Sequence, residues 1–62
     1  MIREQVIKAR KEQGLTQKDL ALKVGVRTAT ISDFERGKYN LGSDILEKIL
    51  ESLNIEIRSV IT

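Results

Sequence analysis

At 62 residues, with a 40% hydrophobic share, the chain can build one domain around one small core. It holds no cysteine and no histidine, which excludes disulfides, thiolate or imidazole metal sites, and the usual thiol nucleophile and imidazole base. Net charge is +2 but uneven: residues 1–40 carry nine Lys/Arg against five Asp/Glu and residues 41–62 two against four, so the N-terminal two-thirds suits a polyanion.

A first helix is predicted over 2–13, with Ile2, Val6 and Ala9 on one stripe and Gly14 as its left-handed end. "LTQKDL" opens a second helix over 16–24. Thr16 is its N-cap, Asp19 completes a capping-box variant, and Leu15 with Leu20 form a hydrophobic staple. Gly25 ends it, and Val26 turns back toward the core. A third helix starts at Arg27, or one residue later with Thr28 as cap, and runs to Arg36 before Gly37 stops it. Its apolar residues are Ile31 and Phe34. After the loop "KYNLGS", Ser43 or Gly42 caps a fourth helix, with Asp44 in its first turn. Leu46, Ile49, Leu50 and Leu53 follow at i, i+3, i+4 and i+7, a wide apolar face, and Asn54 suits a left-handed end. The last segment, "IEIRSVIT", alternates with period two and is rich in β-branched residues, which predicts a strand.

The second and third helices, joined by a Gly-containing turn, form a helix-turn-helix. Ala21 has to be small where the helices cross, Gly25 has to accept positive φ, and Ile31 has to be apolar to lock one helix on the other. The polar opening "RTAT" of the third helix is then left to face outward.

In chain order, Gly14-Leu15-Thr16-Gln17, Leu20-Ala21, Val24-Gly25-Val26, Ile31 and Glu35-Arg36-Gly37-Lys38 resemble the Cro/C1-type (XRE-type) helix-turn-helix family of bacterial and phage repressors. The resemblance covers residues 2–53. It implies an all-α, four-to-five-helix, lambda-repressor-like DNA-binding domain over 1–54; many relatives continue with a fifth helix, whereas here the period-two pattern predicts a short C-terminal β-strand over 55–62 as a dimerisation segment. In such a domain the third helix enters the major groove, where all four base pairs are distinguishable. The base readers carried over by position are Arg27, Thr28, Ala29 and Asp33. Arg27 suits guanine O6/N7 or a phosphate, Thr28 several bases, Ala29 a thymine methyl, and Asp33 either cytosine N4 or the orientation of Arg27. Phosphate contacts are implied for Gln17, Thr30, Arg36, Lys38, Tyr39 and Asn40. Gln17 is also implied to brace the third helix. The resemblance further implies an ion pair of Arg10 with Glu35, linking the first and third helices. The sequence departs from the family at Arg27, where a Ser or Thr cap is common, and at Leu22, where a polar residue is common.

A lone strand leaves backbone groups unpaired, so its partner is expected from a second copy across a two-fold axis. With the axis through Ile57, Glu56 of one subunit faces Arg58 of the other. The expected dimer residues are Ile55, Ile57, Arg58, Val60 and Ile61. The tail resembles that of short antitoxin-like repressors of the HipB type, which dimerise through a C-terminal strand.

The expected function is sequence-specific binding of a pseudo-palindromic double-stranded operator by a homodimeric repressor, with no cofactor and no metal. An autoregulated operon with a toxin partner is one setting. A restriction–modification controller and a helix-turn-helix protein-interaction module are the alternatives. No catalytic residues are expected: Ser32, Ser43, Ser52 and Ser59 have no activating base, and no phosphate-binding glycine motif occurs. No apolar run approaches the ~20 residues that span a bilayer, and the N-terminus lacks the apolar core of a signal peptide. A cytoplasmic location is the resulting expectation.

Overall fold

The structure, a computed structural model, describes residues 2–55 and contains four α-helices: α1 (Ile2–Glu12), α2 (Gln17–Val24), α3 (Thr28–Glu35) and α4 (Ser43–Ser52). The all-α expectation holds. The strand expected over 55–62 falls outside the described residues except for Ile55, and with it fall Ile57, Arg58, Val60 and Ile61.

The helix starts follow from local chemistry. Thr16 caps α2: its hydroxyl accepts the Asp19 N–H at 3.0 Å, and the Asp19 carboxylate accepts the Thr16 N–H at 2.9 Å. The reciprocal pair fills two of the donors that a helix start leaves open. In α3 the cap is Arg27, in extended conformation and with no side-chain hydrogen bond. Thr28 is therefore the first helical residue, and the alternative in which it caps the helix is corrected. In α4 the cap is Gly42 rather than Ser43, which lies inside the helix.

All four helices end alike. The amides of Leu15, Val26, Lys38 and Ile55 donate back to the carbonyls of Arg10, Ala21, Asp33 and Leu50 at 2.9–3.0 Å. This bond forms when the residue before the donor turns left-handed. Those residues are Gly14, Gly25, Gly37 and Asn54, with φ from 58° to 82°. Gly25 matters most, because residues 25–27 alone separate α2 from α3. A side chain at φ 76° would oppose the sharp reversal that sets α3 against α2.

The core draws on every helix. Val6 from α1, Leu20, Ala21 and Val24 from α2, Ile31 and Phe34 from α3, and Ile49 and Leu50 from α4, with Leu53 after it, are buried. Each large apolar side chain so buried contributes roughly 1.5–3 kcal/mol. Helix α2 packs on both α3 and α4, and α1 packs on α3. Ala21 is buried as the close approach of α2 and α3 requires. At the far end, the Gln13 side-chain amide donates to the Leu53 carbonyl at 2.8 Å, tying the end of α1 to the end of α4. Ile55 packs against the same core.

Candidate nucleic-acid interface

Helix α3 turns Ile31 and Phe34 inward. With about 100° per residue, positions 29, 32, 33 and 36 then share the opposite face, with position 28 at its edge. Thr28, Ala29 and Arg36 are exposed, and Ser32 and Asp33 are half-exposed. Arg27, just before the helix, is exposed too. The four predicted readers all reach the surface, Thr28, Ala29 and Asp33 along α3 and Arg27 just before it. Thr30 lies to the side of this stripe and is half-buried. Ser32 belongs to the stripe one turn after Thr28, and the sequence reading passed over it. The spacing i, i+4 was the signal that would have found it.

Two arginines of α1 hold this helix. Arg10 grips Glu35 in a fork, Nε to Oε2 at 2.7 Å and Nη2 to Oε1 at 3.0 Å, while its Nη1 donates to the Leu15 carbonyl at 2.7 Å. The two side chains are 9% and 7% exposed. The Gln17 amide nitrogen adds a third donor to Glu35 Oε1 at 3.0 Å. The implied ion pair and the implied bracing by Gln17 are both present. Burial pushes the Glu35 carboxyl upward, but hydrogen bonds from Arg10 and Gln17, with the charges of Arg10 and Lys11, outweigh it and hold the group below its ordinary value.

Arg3 is the second brace, and no feature of the sequence reading singled it out. Its Nε donates to the Phe34 carbonyl at 2.7 Å, its Nη2 donates to Asn40 Oδ1 at 3.1 Å, and its guanidinium lies 5.4 Å from the Phe34 ring centroid.

Beyond α3 the loop residues Arg36, Lys38, Tyr39 and Asn40 are all exposed. Tyr39 is 59% exposed, so it does not cover the edge of the core. At the start of α2 the capping pair occupies the Thr16 and Asp19 amides, leaving those of Gln17 and Lys18 directed out of the helix end. Leu22, on the outer face of α2, is 72% exposed. Among the described residues no group of acidic side chains is arranged to hold a metal ion, and no helix is long and apolar enough to cross a membrane.

A short helix with a polar outward face, locked through a Gly turn onto a preceding helix and flanked by basic residues, defines the helix-turn-helix class of DNA-binding domains. A helix-turn-helix family model matches residues 6–60, and the chain belongs to that family, in its Cro/C1 (XRE) type. A helix-turn-helix transcriptional regulator of Archaeoglobus fulgidus is 39% identical over 59 residues, which make up 95% of this chain and 84% of that protein. The antitoxin HipB of Escherichia coli strain K12 is 42% identical over 48 residues, 77% of this chain and 54% of HipB. Multiprotein-bridging factor 1 of Eremothecium gossypii is 34% identical over 53 residues, 86% of this chain and 35% of that factor. The chain thus spans about half of HipB and about a third of the bridging factor. No solved structure matches the chain.

Proposed function

We propose that the protein is a homodimeric repressor that reads a pseudo-palindromic operator with α3. The observation that carries this reading is the outward stripe of Thr28, Ala29, Ser32 and Asp33, polar or small throughout and free of bulky apolar side chains. Such a surface lets a helix approach base edges closely. Arg27, Thr28, Ala29 and Asp33 read bases. The Gln17 and Lys18 amides at the positive end of α2, with Gln17, Thr30, Arg36, Lys38, Tyr39 and Asn40, hold phosphates on either side.

The dimer rests on the period-two tail, in which Ile57, Arg58, Val60 and Ile61 pair with their copies and Ile55 joins the tail to the core. Two reading helices then face successive turns of the major groove, roughly 34 Å apart. The likeness to HipB supports an antitoxin role, with a toxin protein as second partner and its own operon as target.

Selection of bound sequences from a random duplex pool tests the reading. A two-fold symmetric consensus with half-sites about one helical turn apart is expected. Arg27→Ala should relax the preference at one base pair per half-site, at about 1–3 kcal/mol. A pool that shows no preference rejects sequence-specific readout. A second reading, a protein-interaction module, draws on the exposed Leu22 and on the relatives named multiprotein-bridging factor. It gains if Arg27→Ala and Gln17→Ala leave duplex binding unchanged.

A further inference from the structure

We propose that Arg3 is a positioning residue that presents the loop after α3 to the nucleic-acid backbone; this rests on the DNA reading above. Three contacts converge on one guanidinium. Nε closes on the carbonyl of Phe34, in the last turn of α3, at 2.7 Å. The cation lies 5.4 Å from the Phe34 ring centroid. Nη2 holds Asn40 Oδ1 at 3.1 Å, across 37 positions of sequence. Gly37 packs beside it, since a Cβ there would stand 3.9 Å from Arg3 Cζ.

The chemistry of the fork decides what this can do. A guanidinium is planar, donates in two directions at once and lays a flat face on an aromatic ring, whereas an ammonium is a single point. Arg3 thereby joins the start of α1 to the end of α3 and to the loop in one rigid link. With its oxygen engaged by Arg3, the Asn40 side chain keeps its NH₂ as donor, which suits a phosphate oxygen and not a cation. Lys38 and Tyr39 lie within the span that the link closes. Arg3 itself reads no base, so its loss lowers affinity for every duplex alike.

The test is a cycle of full-length variants, Arg3→Ala, Arg3→Lys, Asn40→Ala and Arg3→Ala with Asn40→Ala. Each is titrated with the selected operator and with a scrambled duplex over a range of salt, with a melting curve beside it. Arg3→Ala is expected to weaken both duplexes about tenfold, the worth of one charge-assisted contact. Arg3→Lys keeps the charge but not the fork, and should weaken binding nearly as much. Asn40→Ala should add little once Arg3 is gone, and the salt slope should change little, because Asn40 is neutral and Arg3 is engaged within the protein. Binding by Arg3→Lys equal to the unchanged chain overturns the proposal, because charge alone then suffices. Additive losses overturn it too, as does a lower melting temperature with intact affinity. If Arg3→Ala does not fold, Arg3→Lys takes its place in the cycle with Asn40→Ala, and additive losses decide against the link. An unchanged chain that binds no duplex ends the DNA reading and this proposal together.

Discussion

Glu35 accepts from three nitrogens, two of Arg10 and one of Gln17, and so joins α1, α2 and α3 at a single carboxylate. Glu35→Ala would leave the buried Arg10 cation with only the Leu15 carbonyl. Breaking one side of such a pair costs about 3–5 kcal/mol, comparable to the whole stability of a domain this small, about 3–5 kcal/mol. Urea titration followed by circular dichroism should find Glu35→Ala largely unfolded. Arg10→Met with Glu35→Leu should recover most of the loss, because well-packed apolar side chains replace such a pair at little net cost. The same carboxylate sets a pH dependence. Its pKa lies below the ordinary 4.5 in the folded chain, so its contribution is complete above that value and is lost as pH falls through the folded value. Asp19, held below its ordinary 3.8 chiefly by the hydrogen bonds with Thr16, acts in the same direction. Melting temperature should therefore drop on acidification below about pH 4.5, less steeply in Glu35→Gln. The Arg10–Glu35 link was legible because a family pattern carries both residues. Arg3 was not, since its shortest contact is to a backbone carbonyl 31 residues away, which leaves no mark in a sequence, and Phe34 and Asn40 come beside it only through the fold.

The four helices were readable for a local reason. Each ends at a residue that tolerates positive φ, and Gly14, Gly25, Gly37 and Asn54 stand out in a chain with only four glycines. Starts were less legible, because Arg27 and Gly42 cap through conformation and not through a side chain. Gly25→Ala should destabilise by about 1–2 kcal/mol through torsion alone, since no atom lies within 4 Å of a Cβ placed there. A shift in the urea midpoint with an unchanged slope would report it. The cap of α3 makes a sharper test. A serine at position 27 would accept an N–H that Arg27 leaves open, stabilising α3 by about 0.5–1 kcal/mol. Arg27→Ser should therefore raise the melting temperature and weaken operator binding at once. That combination would mark Arg27 as retained for the partner it meets and not for the helix it begins. A lower melting temperature would instead show that the arginine supports the fold.

At the scale of the molecule, Ile55 belongs to the core by its packing and by its N–H to the Leu50 carbonyl at 2.9 Å. A chain ended after Ile55 should therefore keep its helical signal and most of its stability. If the tail is the dimer device, sedimentation should find this shortened chain monomeric where the full chain is dimeric. Half-site affinity should persist, while the gain from two linked half-sites disappears. Truncation removes many contacts together, so a charge exchange tests the proposed register itself. With a two-fold axis through Ile57, Glu56→Arg sets like charges across the strand pair, and Arg58→Glu does the same with the opposite sign. Each single change should weaken the dimer, and Glu56→Arg with Arg58→Glu in one chain should restore it, because the pair is then complementary in reverse. Restoration requires that the two positions face each other between copies, which neither a parallel pairing nor a register displaced by one residue provides. If the double variant is no better than the sum of its parts, the symmetric antiparallel strand is wrong. The two reading helices would then need another source for their spacing on the operator.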